Sequence, residues 1–146
     1  MTMKGYCIDP NASLIECMRS MDITGAGIAL AVDSAFRLIG TVSDGDVRKA
    51  LLKGYALDSS VFPHINRNCF HVLPTVPRVE VLDIMQARRF EQIPIVDEHN
   101  KVIGLHLLHN ILGNVSRPNW AVVMAGGKGM RLRPLTENIP KPMKSL

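Results

Sequence analysis

Cysteine is scarce: Cys7, Cys17 and Cys69 are the whole complement of 146 residues. Their odd number and wide spacing exclude a disulfide framework and a Cys-x-x-Cys metal pair, and they predict a reducing, cytoplasmic setting. Aromatic residues make up only 5% of the chain, too few for the stacking series that single-stranded nucleic acid requires. No apolar run approaches the ~20 residues of a membrane span. Residues 1–7 have no apolar stretch of the kind a secretory leader carries. What the sequence does have is 47% apolar residues. That is enough for one ordinary core, or for two small halves sharing one.

Charge is distributed unevenly. Residues 1–114 hold eleven Lys/Arg against twelve Asp/Glu, whereas residues 115–146 hold six Lys/Arg against Glu137 alone. A basic tail suits nucleic acid or phosphate. The order of residues in the tail favours phosphate.

The chain repeats itself at a shift of 64 residues. Without gaps, Pro10, Glu16, Met21, Val32, Asp33, Ile39 and Gly40 fall on Pro74, Glu80, Met85, Val96, Asp97, Ile103 and Gly104. Each copy starts with a short extended piece that ends at proline (7–10 and 71–74). An apolar stripe at helical spacing follows: Leu14, Ile15, Met18 and Met21, then Val79, Leu82 and Met85. Two apolar runs around a polar turn predict a hairpin: 28–32 with 37–42, and 93–96 with 101–105. A second helix is predicted over 44–53, stopped by Gly54, and over 109–112, stopped by Gly113. The unit is β-α-β-β-α, twice. Neither copy alone has much core to bury, so the two are expected to pack together.

The first copy contains Gly40-Thr-Val-Ser43-Asp-Gly-Asp46. Ser-x-x-Asp at a helix start is a capping pattern. The same helix start also suits a phosphate, and a carboxylate there suits ribose hydroxyls. Spacing alone leaves both readings open. With its preceding Val-Asp turn and its repetition, the segment resembles the cystathionine-β-synthase (CBS) domain, over about three quarters of the chain. The resemblance implies a pseudo-twofold α/β pair, assembly into homodimers, and an adenine nucleotide (AMP, ATP or S-adenosylmethionine) in the cleft between repeats. It assigns Ser43 to phosphate and Asp46 to ribose. The second copy departs from the pattern: Leu107 replaces the serine and Asn110 the aspartate, so its cleft is expected to bind nucleotide poorly. Val72, Pro74, Ile93 and Pro94 are candidates either for lining the adenine or for the core. Asp44-x-Asp46 is no calcium loop, because the twelfth position is Tyr55. His106-x-x-His109 lacks a nearby third ligand, and no metal site is expected.

After residue 119 the pattern changes. Residues 119–125 read as a buried strand, followed by a turn containing Gly126, Gly127 and Gly129, then Arg131 and later Pro140-Lys141-Pro-Met143. Glycines straight after a strand let backbone N–H groups approach an anion. The segment is neither a Walker loop nor a dinucleotide fingerprint. It resembles the N-terminal signature of sugar-1-phosphate nucleotidyltransferases, which are doubly wound α/β enzymes. One departure is Met130, where a small hydroxyl residue is common. The resemblance implies that Gly126, Gly127 and Gly129 cradle a nucleoside triphosphate with Mg2+, that Arg131 and Lys141 neutralise its phosphates, and that a guanylyl or other nucleotidyl group is transferred in a parent enzyme. The 27 or so residues carry no sugar or base pocket, so this chain itself is expected to be inactive. The expected organisation is repeat 1 over 1–64, repeat 2 over 65–114, and a linker with the enzyme's first motif over 115–146. The expected role is a regulatory module of such an enzyme, partnered by adenine nucleotide and by a second copy, with neither nucleic acid nor membrane. The alternatives are a structural dimerisation module with empty sites and an enzyme fragment.

Overall fold

The computed structural model describes residues 3–113. The chain divides into two units, 1–113 and 114–146, and every described element belongs to the first. After a 3-10 turn at Met3–Tyr6 come β1 (Cys7–Ile8), α1 (Leu14–Thr24), β2 (Ile28–Val32), β3 (Leu38–Ser43) and α2 (Asp44–Leu52). A connecting segment with a 3-10 turn at Phe62–His64 leads to α3 (Arg78–Arg88), β4 (Gln92–Val96), β5 (Val102–Leu107) and α4 (Leu108–Leu112). The described residues thus have the α/β character and the doubled unit expected from the sequence. The expected strand and phosphate turn of residues 119–129 lie outside them.

The 64-residue repeat is also a repeat of hydrogen bonds. The Asp33 and Asp97 N–H groups donate to the Arg37 and Lys101 carbonyls, and those of Asp44 and Leu108 to Gly27 and Glu91. Both hairpins carry a bulge at the same place, between Ala31 and Val32 and between Ile95 and Val96. Phe36 and Asn100, at matching turn positions, both have φ near +60°. The two hairpin ends join each other reciprocally. Leu38 N–H donates to the Asn100 carbonyl at 2.8 Å, and Val102 N–H to that of Phe36 at 3.0 Å.

Alternation along the strands makes three cores from two repeats. In β2, Ala29 and Ala31 face Leu14, Cys17, Met21 and Val47 of their own helices. Ile28, Leu30 and Val32 point the other way, into a cluster with Leu38 and with Val96, Val102 and Leu107 of the second repeat. Val72, Val81, Met85 and Ile93 form the second repeat's own core. The shared middle cluster is the packing of one copy on the other that the short repeats required.

The copies are not equal. β1 pairs parallel with β2, whereas residues 71–74 are reduced to one parallel bridge, Val72 with Ile95. Pro94 sits opposite and has no N–H to extend the ladder. α2 spans nine residues and ends at Leu52, and α4 spans five, starting at Leu108. Ser13 with Glu16 and Ser43 with Asp46 form complete capping boxes, whereas α3 and α4 start without a side-chain cap.

Each hairpin turn hangs on one carboxylate. Asp33 Oδ1 accepts from the Ala35 and Arg37 N–H groups, and Asp97 Oδ1 from those of His99 and Lys101. The backbone bonds from Arg37 and from Lys101 hold the two carboxyls below the usual aspartate range. A depressed folded-state pKa gives stability that is present above the unfolded value of about 3.9 and lost as pH falls through the folded one. The midpoint of thermal unfolding is therefore expected to drop on acidification below about pH 4. A flatter acid limb in the Asp33→Asn, Asp97→Asn double variant checks the assignment; an unchanged limb contradicts it.

Candidate functional site

Gly40 explains how the first cleft is built. A Cβ at this position would run into the backbone carbonyl of Asn66 and the side chain of Ile65. Its absence lets the connecting segment lie against β3. Thr41 N–H donates to the Asn66 carbonyl at 3.1 Å, and Asn66 N–H to that of Thr41 at 2.8 Å. This pairing delivers Asn66, Asn68, Cys69 and Phe70 to the start of α2. At Gly104 the nearest atoms to an added Cβ belong to the Ile95 side chain.

The result is a cleft of 560 Å³ between the repeats. Ser43, Asp46, Thr41 and Asn66 line it together with Phe70, Phe90 and Pro94. The Phe70 and Phe90 rings are 5.8 Å apart, and the Arg88 guanidinium lies 4.9 Å over the Phe70 ring. Gln92 closes one end, its Nε2 donating to the Ala26 carbonyl at 2.9 Å. The cleft therefore combines an aromatic pair with a polar helix start. Apolar surface with a few placed polar groups is the usual make-up of a small-molecule site.

Within the box, Asp46 Oδ2 accepts from the Ser43 N–H at 3.0 Å and from Ser43 Oγ at 2.6 Å, and Asp46 N–H donates back to Ser43 Oγ at 3.3 Å. Asp46 Oδ1 has Lys49 Nζ 3.8 Å away. The capping role that the spacing suggested is real, and it engages one carboxylate oxygen. Burial raises the thiols of Cys7, Cys17 and Cys69, that of Cys17 to about 12. None is a thiolate nucleophile near neutral pH. Among the described residues, no group of three or more His, Cys, Asp or Glu could hold a metal, and no helix is long and apolar enough to cross a membrane. His106 lies in β5, where burial lowers its pKa, and His109 lies in α4.

The equivalent region of the second copy is chemically different. Leu107 is buried in the shared core, and Leu105, Met3, Tyr6 and Cys7 pack against that same cluster. Asn110 is exposed, and its backbone carbonyl accepts from Arg78 Nη2. Of the four suggested lining residues, Val72 and Ile93 are core and Pro74 is exposed, while Pro94 lines the first cleft. Sequence reasoning missed Phe70, Phe90 and Arg88. The available signal was scarcity, since two of only four phenylalanines sit here. Gly126, Gly127, Gly129, Arg131 and Lys141 lie outside the described residues.

A pair of β-α-β-β-α repeats, joined through one shared core and leaving a mixed polar and aromatic cleft at the junction, defines a tandem-repeat α/β module. The chain belongs to the CBS domain family, matched over residues 1–53 and 60–113. Residues 120–145 also match the nucleotidyl transferase family. An uncharacterized protein of Helicobacter pylori is 36% identical over 107 residues, 72% of this chain and 32% of that protein. The chain thus spans about a third of the length of this relative. Among solved structures, a CBS domain protein of Pyrobaculum aerophilum complexed with AMP has a TM-score of 0.67 at 18% identity, covering 75% of this chain and 84% of that one. A CBS domain pair in complex with 5′-methylthioadenosine and S-adenosyl-L-methionine has a TM-score of 0.65 at 21% identity, covering 73% and 83%.

Proposed function

We propose that this chain is a regulatory module that binds an adenine nucleotide in the first cleft and controls a sugar-1-phosphate nucleotidyltransferase. The observation that carries the reading is the 560 Å³ cleft lined by both the Ser43–Asp46 helix start and the Phe70 and Phe90 rings. The base would lie along the aromatic wall, the ribose hydroxyls would donate to Asp46, and Ser43 would face phosphate. Adenine ligands in two solved relatives of the same fold support the class of ligand. The nucleotidyl transferase match at 120–145 supports the class of enzyme, with Gly126, Gly127, Gly129, Arg131 and Lys141 as its triphosphate contacts together with Mg2+.

The second cleft takes no nucleotide in this reading, because Leu107 offers no hydroxyl and Asn110 no carboxylate. Titration calorimetry with AMP is expected to give one nucleotide per chain. Two equivalent sites, or no heat with AMP, ATP or S-adenosylmethionine, would contradict it. The second outcome would favour the other reading that an observation supports, a structural dimerisation module. Ile23 and Leu52 leave 69% and 82% of their surfaces exposed on α1 and α2, which suits pairing with a second copy.

A further inference from the structure

We infer that the first cleft selects phosphorylated adenine nucleotides over adenosine and over sulfonium ligands, and that Arg88 determines this selection. The inference rests on the nucleotide reading of the cleft. Arg88 ends α3 and, among the described residues, is the only lysine or arginine lining the cleft. Its guanidinium lies over the Phe70 ring. That stacking fixes the plane of the fork and leaves its N–H edges available for a bidentate anion contact. Among the described residues, the ion pairs are Arg37 with Asp33 and Lys49 with Asp46, so no carboxylate there neutralises Arg88.

Among the described residues, the only carboxylate lining the cleft is Asp46, and in the proposed pose its oxygens are taken by Ser43 and by the ribose hydroxyls. One oxygen accepts twice from Ser43, and the other is near Lys49. A cationic sulfonium therefore finds a guanidinium and no uncommitted carboxylate, whereas a phosphate finds a free cation. The selection is electrostatic and short-ranged, so added salt weakens it.

The full chain is titrated with AMP, adenosine and S-adenosylmethionine, as wild type and as Arg88→Gln. AMP is expected to bind about ten- to a hundredfold more tightly than adenosine, the range for hydrogen bonds to a charged group. S-adenosylmethionine is expected to bind no better than adenosine. Arg88→Gln should remove the preference, so that the ratio of AMP to adenosine affinity falls to about one. Arg88→Lys, which keeps the charge but loses the fork, should fall between. In wild type, AMP affinity should drop with sodium chloride while adenosine affinity holds. Equal binding of AMP and adenosine by wild type would overturn the role of Arg88 and leave the nucleotide cleft standing. So would an Arg88→Gln variant that weakens both ligands alike. If no adenine ligand binds wild type, both readings fall together.

Discussion

Leu30→Ala is expected to destabilise both repeats at once, by about 2–5 kcal/mol, the range for removing a buried leucine side chain. Leu30 has no exposed surface. It lies in the middle of β2 and points into the cluster that Val96, Val102 and Leu107 of the second repeat complete. The cavity it leaves is walled by both copies, and neither can collapse into it without dragging its hairpin off the other. A module of this size loses roughly 4 °C of melting temperature per kcal/mol. A single thermal transition, displaced as a whole, is expected by calorimetry. Amide exchange should speed up in β5 as well as in β2. If instead the melt splits in two, or only first-repeat amides lose protection, the repeats are independent and the middle cluster does not couple them.

Asp46→Ala is expected to act on two properties with separable sizes. Binding of AMP should weaken by about 1.5–3 kcal/mol, the worth of hydrogen bonds to a charged acceptor. That is roughly a ten- to hundredfold rise in Kd. Stability should fall by about 0.5–2 kcal/mol, because the carboxylate also closes the capping box on Ser43. Thermal unfolding without ligand reads the second effect, and calorimetry well below the variant's melting range reads the first. Ser13→Ala breaks the other complete capping box, at the start of α1. It should show the stability loss without the binding loss. An Asp46→Ala chain that binds AMP like wild type would reduce Asp46 to a helix cap.

Much of the architecture was legible in the chain itself. A 64-residue shift with matched chemistry predicted the doubled β-α-β-β-α unit, because turn aspartates such as Asp33 and Asp97 and stripes such as Leu14, Met18 and Met21 act through local geometry. The Ser43–Asp46 box was readable for the same reason, since a cap involves residues three apart. Shared burial was also readable in outline, from two copies each too small for a core.

Other features depended on residues far apart in sequence. That Leu30 faces the second repeat while Ala29 and Ala31 face the first follows from which side of β2 meets which helix, and a run that is apolar at every position does not encode this. The loss of a strand at residues 71–74 depended on Pro94, about twenty residues further along the chain. Gly40 looked like part of a ligand box, but its structural reason is the Asn66 backbone lying against it. The aromatic wall of the cleft is Phe70, before α3, brought beside Phe90, after it, with Arg88 laid across. Periodicity registers neither ring as a site, because each looks like ordinary core until the fold brings it into one cleft with Asp46. Local hydrogen bonds and repetition could be read from the sequence alone. The cleft could not, because it is made where segments distant in the chain come together, and only tertiary packing decides which side chains meet there.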